Sequence, residues 1–354
     1  MCPAKTKSTK PKSKSTPSRP KTHANHPNNG HLRQQRSRPL MLSKRACVFY
    51  LERVRVVLKD DRIVYLTESL QPTEHFYNIP EKNTAFLLLG KGSSITDAAA
   101  RRLAESNVMV GFCGSGGSPL FSALDLTFLA PQSEYRPTEY MQTWMQAWLD
   151  DSTRLLMAKI LLTERIEMVK KYWQRHALLT SRGIRLDEAT LSRFAQDIEA
   201  GTSQEQLLTA EGRWAKALYK TLATGFDFAF TREEGKNSHE DVADIANSYL
   251  DHGNYIAYGY AAVALHGLGI SFALPMLHGK TRRGGLVFDI ADLVKDALVM
   301  PQAFISAKLG HDQKEFRMQL IEVCQDQDVL DYMFGFIVET CQKIKSYQIV
   351  KPST

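Results

Sequence analysis

The first 45 residues contain no aspartate or glutamate, although they include twelve lysines and arginines. The rest of the chain has 33 lysines and arginines against 38 aspartates and glutamates, so the net charge of +7 does not describe it. This excludes a uniformly basic body, and any nucleic-acid surface there must be a local patch. Residues 1–41 are rich in proline, serine and threonine and are predicted to be a disordered basic tail. Electrostatic nucleic-acid binding, a passive extension and a start site upstream of Met41 all remain open for it.

The sequence also lacks a C-x-x-C pair and an apolar N-terminal signal segment. Its five cysteines, at positions 2, 47, 113, 324 and 341, are therefore interpreted as reduced thiols of a cytoplasmic protein. Residues 255–277 contain no Asp, Glu, Lys or Arg and are long enough to span a bilayer. Three tyrosines, three glycines, His266 and Pro275 interrupt this segment, so we expect a buried core helix followed by a turn and no membrane association.

No nucleotide-binding loop is present. The two glycine-rich stretches, LGKGSSIT and GFCGSGGSP, fit neither G-x-x-x-x-G-K-[ST] nor G-x-G-x-x-G in a βαβ unit. Both are predicted to be turns rather than phosphate cradles, the first with a serine or threonine that caps the following helix.

The pattern of apolar residues changes near residue 128 and predicts an α+β protein. Before it, RACVFYLERVRVVL, RIVYLT, HFYNIP, TAFLLLG, VMVGF and PLFSA are typical of strands, with a turn at Asp60-Asp61 and one helix over 95–106. After it, helical periodicity covers TEYMQTWMQAWLDD and residues 152–174, 186–200, 205–224, 242–265, 287–309 and 313–345. We expect a strand-rich domain over 42–128 and a mainly α-helical catalytic domain over 129–354. Trp144 and Trp148 are read as a core stripe of the first helix.

One segment, MLHGKTRRGGLVFDIADLVKD at 276–296, combines several kinds of functional group. Helical spacing places Asp289, Asp292 and Asp296 on one face, where like charges repel unless the face is solvated or a positive group compensates. Lys295 is too flexible and too badly directed to serve all three, whereas a divalent cation would serve. Carboxylates with the imidazole of His278 are ligands that suit Mg²⁺ or Mn²⁺, the nitrogen favouring Mn²⁺.

A third protein ligand has to come from elsewhere, and Glu211 is the candidate, placed on the first turn of a helix that Thr209 could cap. The alternatives stay open: the aspartates could form a solvated face, His278 could be structural, and Glu211 could only offset a helix dipole. Asp251, His252 and Asn254, in SYLDHGNYIAYGYAA, are either residues of a helix N-terminus or a wall of the same cleft.

Three cations, Lys280, Arg282 and Arg283, follow His278 directly. Guanidinium groups bind phosphate oxygens in a bidentate fork, and a metal beside them can polarise a scissile phosphate. The segment therefore indicates phosphodiester chemistry on a polymer.

Six stretches carry a family resemblance: SKRACVFYLERVRVVL, YNIPEKNTAFLLLGKGSSIT, VGFCGSGGSPLFSA, PQSEYRPTEY, YLDHGNYIAYG and LHGKTRRGGLVFDIADLVKD. On these, the chain resembles the CRISPR-associated integrases of the Cas1 family, and its type I-F branch in particular, over about residues 43–305. PQSEYRPTEY and LHGKTRRGG are the most specific of them. The basic tail is longer than the resemblance leads us to expect.

The resemblance implies a metal site formed by Glu211, His278 and Asp292, with Asp289 as a supporting acidic residue, and DNA-backbone contacts from Lys280, Arg282 and Arg283. It implies a metal-dependent endonuclease and integrase of CRISPR adaptation that joins short DNA fragments (spacers) into the repeat array. It also implies double-stranded DNA as substrate, a homodimer, and a Cas2 partner fused to Cas3. The sequence leaves two rivals: a purely hydrolytic nuclease on branched DNA, and a non-enzymatic architectural DNA-binding subunit.

Overall fold

Two four-stranded sheets form the N-terminal part of the protein. The computed structural model describes residues 41–67, 75–114, 126–131, 137–234, 241–279 and 284–350. The strands are β1 (Cys47–Leu51), β2 (Val54–Lys59), β3 (Arg62–Thr67), β4 (Phe76–Ile79), β5 (Thr84–Leu89), β6 (Ser94–Ile95), β7 (Met109–Cys113) and β8 (Leu126–Leu129). One sheet has the order β1-β5-β7-β8, with β8 antiparallel to β7, and the other has the order β4-β3-β2-β6.

The predicted hairpin is confirmed. Strands β2 and β3 pair antiparallel, and Asp60 and Asp61 make the two-residue connection between Lys59 and Arg62. Both aspartates have positive φ, 50° and 59°, as a tight hairpin turn that follows strand twist requires. The run RACVFYLERVRVVL is not one strand, however, because Arg53 also has a positive φ of 52°. The break sends β1 and β2 into different sheets.

Eleven α-helices lie in the part of the chain that the structure describes. They are α1 (Asp97–Glu105), α2 (Thr138–Leu149), α3 (Asp151–Trp173), α4 (Ala177–Ser181), α5 (Glu188–Ala200), α6 (Gln204–Gly225), α7 (Val242–Gly267), α8 (Gly285–Val294), α9 (Met300–Leu309), α10 (Gln313–Asp326) and α11 (Val329–Val350). The predicted α+β class is confirmed, with strands first and helices after. Thr96 caps α1 by accepting from the backbone N–H of Ala99, as the first glycine-rich turn predicted.

Two helical predictions need correction, and one short helix was missed. Residues 313–345 form two helices, because Asp328 adopts a left-handed conformation with φ 48° between α10 and α11. Residues 287–309 are interrupted by a π-helical segment, Lys295–Val299, between α8 and α9. The short helix α4 was not predicted. The predicted strand PLFSA and most of GFCGSGGSP lie outside the described residues, as do residues 1–40 of the predicted tail.

Strand β5 joins the sheets to the helices. Every residue of TAFLLL is buried, which explains why this strand is a continuous apolar run rather than an alternating one. Phe86 and Leu88 belong to the core shared with the helices, while Leu87 and Leu89 belong to a smaller core with α1 and the second sheet. Residues 39–354 form one compact unit, and the boundary at 128/129 stays a prediction.

The segment tested for a membrane span is the C-terminal half of α7 and the turn after it. Most of α7 is buried, and no helix among the described residues is long and apolar enough to cross a bilayer.

Trp144 is fully buried and Trp148 packs against the same core, as predicted. Cys113, Cys324 and Cys341 are buried and Cys47 is half-buried, all four as free thiols.

The contact of α7 with β5 depends on a glycine. A Cβ atom at Gly259 would lie 2.3 Å from the ring of Phe86, which is itself fully buried. We expect Gly259→Ala to lower the free energy of unfolding by about 1–3 kcal/mol, since a packed core resists added atoms.

The matched control is Gly335→Ala in α11, where an added Cβ meets nothing within 4 Å. This variant should be stabilised by about 0.5–1 kcal/mol, because alanine is favoured over glycine in helices. Denaturant unfolding measures both changes. Equal stability of the two variants would contradict the proposed close approach of α7 to β5.

Candidate metal centre

Three acidic or imidazole side chains meet from three different elements. Glu211 comes from α6, His278 from the segment that connects α7 to α8, and Asp292 from α8. One ligand atom of each lies within 4.8 Å of the corresponding atoms of the other two. The structure thus brings together the ligand set that the sequence suggested.

Asp289 fixes the histidine. It is 2% exposed and accepts hydrogen bonds from the backbone N–H groups of Met276 (2.5 Å), Leu277 (3.1 Å) and His278 (3.1 Å). The Nδ1 atom of His278 lies 2.6 Å from Oδ1 of the same carboxylate. An Nδ1–H donated to Asp289 leaves Nε2 of His278 available to a ligand, which is the usual support for a metal-binding histidine.

The negative groups of this site also change the pKa of His278. Burial by itself lowers the pKa of the imidazole, but the hydrogen bond with Asp289 and the nearby Asp292 carboxylate outweigh burial. The pKa of His278 therefore lies above its ordinary value. Burial by itself raises the pKa of the Asp292 carboxyl, but Lys295 and Arg165 outweigh burial, so the pKa of Asp292 lies below its ordinary value.

Arg165, on α3, is the cation that the sequence interpretation missed. It is 4% exposed, and its Nη1 lies 2.5 Å from Oε1 of Glu211 and 3.8 Å from Oδ2 of Asp292. Its Nε donates to Oδ2 of Asp296 at 2.9 Å. Burial alone would lower the pKa of Arg165, but the three carboxylates raise it above its usual value.

The three aspartates are not a solvated face. Asp289, Asp292 and Asp296 are 2%, 4% and 4% exposed, so the solvated-face alternative is wrong. Arg165 lies beside Asp292 and Asp296, whereas Asp289 accepts from three backbone N–H groups. That a divalent cation compensates these charges stays a prediction. Lys295 pairs with one of the three, Asp292, and its ammonium lies 2.5 Å from Oδ1 of that residue.

Two indoles surround Asp296. Trp214 donates its Nε1–H to Oδ2 of Asp296 at 2.8 Å, and Trp173 donates to the backbone carbonyl of the same residue at 3.2 Å. Burial raises the pKa of Asp296, and the Arg165 and Trp214 donors oppose that shift. The π-helical segment that contains Asp296 thus directs it toward α3 and α6.

The predicted local setting of Glu211 was wrong. Helix α6 begins at Gln204, and Ser203 caps it by accepting from the backbone N–H of Gln206. Thr209 is inside the helix and donates to the carbonyl of Glu205. Glu211 therefore lies two turns into α6 and is not a residue of the helix N-terminus.

The segment SYLDHGNYIAYGYAA is also helix interior, because α7 starts at Val242. Asn254 lines a cavity of about 890 Å³ that includes Glu211, His278 and Asp292, so the cleft-wall alternative holds for Asn254. Asp251 pairs with Arg232, which lines the same cavity.

His252 has a different environment from Asn254. It is buried, and its Nδ1 lies 3.2 Å from the hydroxyl of Tyr50 on β1, so it connects α7 to the first sheet. Lys280, Arg282 and Arg283 lie outside the described residues.

Sequence comparison finds close relatives of the chain. The family model "CRISPR associated protein Cas1" matches residues 51–320. The chain is 42% identical over 313 residues to the CRISPR-associated endonuclease Cas1 of Pseudomonas aeruginosa strain UCBPP-PA14, covering 86% of this chain and 95% of that protein. It is 42% identical over 322 residues to the protein of the same name from Pectobacterium atrosepticum strain SCRI 1043, covering 88% and 96%.

The fold has solved counterparts as well. A casposase bound to an integration product superposes with a TM-score of 0.65 at 15% sequence identity, covering 86% of this chain and 92% of the other. This likeness concerns the fold, whereas the sequence matches cover most of the chain at much higher identity. The chain belongs to the Cas1 family of CRISPR-associated proteins.

Proposed function

We propose that the protein is a metal-dependent DNA endonuclease and integrase that joins short DNA fragments into a CRISPR repeat array. The observation that carries the proposal is the convergence of Glu211, His278 and Asp292 within 4.8 Å, although they are far apart in sequence. Family membership supports the enzyme class, since the two relatives at 42% identity are named endonucleases.

The donor set fits Mg²⁺ or Mn²⁺. Two carboxylates and one imidazole nitrogen are acceptable ligands for either ion, and the nitrogen favours Mn²⁺. Nδ1 of His278 is held by Asp289, so the ring is oriented before any ion binds. A bound divalent cation would supply Lewis-acid polarisation of the scissile phosphate and would offset charge that develops on its oxygens.

The chain's own groups position the DNA and stabilise charge. Lys295 has its ammonium beside Asp292 and lines the cavity, where it can meet a phosphate oxygen. Lys280, Arg282 and Arg283 are proposed to contact the DNA backbone, which gives affinity and salt dependence but no sequence readout.

The same site supports cutting and joining. In joining, a 3′-hydroxyl gives up its proton to solvent as its oxygen forms the new bond to phosphorus, the bond to the departing 3′-oxygen breaks, and that oxygen takes up a proton. In cutting, water replaces the 3′-hydroxyl. We propose that one set of residues serves both reactions.

The proposed partners follow from the family. They are double-stranded DNA, as spacer precursor and as repeat array, a second copy of the chain, and a Cas2 subunit fused to Cas3. The casposase counterpart, which is bound to an integration product, supports DNA joining as a reaction compatible with this fold.

We expect His278→Ala to abolish strand transfer, because it removes the only nitrogen donor of the proposed ligand set. A gel assay with a fluorescent short duplex, a repeat-bearing plasmid, Mn²⁺ and the Cas2 partner measures joined products. The control is His311→Ala, which removes an imidazole bound to Ser306 outside the ligand set.

The products of this assay also separate the rivals. Joined strands that need all three ligand residues support the integrase, and cut strands without joined ones indicate a hydrolytic nuclease. DNA binding without metal-dependent turnover indicates an architectural subunit. Wild-type joining by His278→Ala would remove this residue from the mechanism.

A second prediction concerns DNA binding. Arg283→Ala should weaken binding and make its salt dependence less steep by about one phosphate contact, since each contact releases counterions. Lys343→Ala, on an exposed part of α11, removes the same charge and serves as control. Affinities measured over a range of NaCl concentrations give both slopes. An unchanged slope for Arg283→Ala would place this side chain away from DNA phosphates.

A further inference from the structure

Arg165 contacts the proposed metal ligands and can either orient them or compete with a metal ion for them. One edge of its guanidinium contacts Glu211, and the same Nη1 is 3.8 Å from Asp292, so it interacts with two of the three proposed metal ligands. A buried cation of this kind orients the ligands, but it also competes with a divalent ion for their charge. The contacts that hold the other edge of the Arg165 guanidinium therefore affect the affinity of the site for a metal ion.

The other edge is held by Asp296. Its Oδ2 accepts from Nε of Arg165 at 2.9 Å, contacts Nη2 at 2.9 Å, and accepts from Nε1 of Trp214 at 2.8 Å. All three residues are buried, at 4%, 4% and 1% exposure, so water does not weaken these bonds. Trp214 is itself fixed by stacking on Phe194, with ring centroids 4.7 Å apart.

We propose that Asp296 and Trp214 form a buried anchor that retains Arg165, so that this guanidinium orients Glu211 without displacing a divalent cation from Glu211 and Asp292. In this role Asp296 and Trp214 are positioning residues, because neither belongs to the ligand set. The inference rests on the proposed metal-dependent function.

Loss of the anchor should weaken the binding of a divalent cation. Without the Asp296 carboxylate, Arg165 keeps Glu211 and Asp292 as its anionic partners among the described residues and binds them more strongly, and the site also loses one negative charge. Both changes weaken the binding of a divalent cation. Partners that orient metal ligands typically change metal affinity by roughly ten- to a hundredfold when they are substituted.

The test is titration calorimetry of the full-length, metal-free protein with Mn²⁺ alone. We expect Asp296→Asn to weaken Mn²⁺ binding by roughly ten- to a hundredfold. Trp214→Phe, which retains an aromatic ring against Phe194 but removes one donor to Asp296, should weaken it severalfold. If Asp296→Asn fails to fold, Trp214→Phe decides alone.

Two further variants separate the possible outcomes. Asp227→Asn removes the same charge from an exposed residue that lines the cavity, and its affinity should stay within about twofold of wild type, as expected for a solvated charge. Glu211→Gln removes a proposed ligand and should abolish binding.

Mn²⁺ binding that is lost in Glu211→Gln but unchanged in Asp296→Asn and Trp214→Phe would overturn the anchor and leave the metal site intact. Equal weakening in Asp227→Asn and Asp296→Asn would also overturn it, since the effect would then be one of charge alone. Absence of Mn²⁺ binding by the wild type, or binding indifferent to Glu211→Gln, would overturn the proposed metal site and the anchor with it.

Discussion

The ion pairs of Arg165 with three carboxylates are the constraint on which the candidate site depends. Glu211, Asp292 and Asp296 come from separate elements, and burying them together without a cation would cost several kcal/mol per charge. Arg165 offsets the negative charge of this cluster, and its ion pairs connect α3 with α6 and α8. The same ion pairs therefore set the geometry of the site and the packing of the helices around it.

The rest of the fold presents the ligands from rigid elements. Helix α7 is buried along most of its length and packs on β5, so the segment that follows it, which carries His278, starts from a fixed point. Asp289 then ties this segment to α8 through three backbone N–H groups and the imidazole. Glu211, from α6, is oriented by its ion pair with Arg165 on α3.

Local patterns in the sequence predicted some of these features and not others. The hairpin at Asp60-Asp61 and the helical spacing of Asp289 and Asp292 are short-range signals, and both were confirmed. Glu211 was singled out with the help of the family resemblance, because a lone glutamate in a helix has no distinguishing pattern. Arg165 was missed since its partners lie 46 and 131 residues away, and the π-helical turn that directs Asp296 departs from regular helical spacing.

Glu211, His278 and Asp292 are proposed to hold one divalent cation. Anomalous diffraction from crystals of the protein soaked in Mn²⁺ tests it most directly. We expect a single strong peak within coordination distance of a carboxylate oxygen of Glu211, Nε2 of His278 and a carboxylate oxygen of Asp292. A well-occupied Mn²⁺ peak elsewhere on the chain, with none between these three side chains, would contradict it.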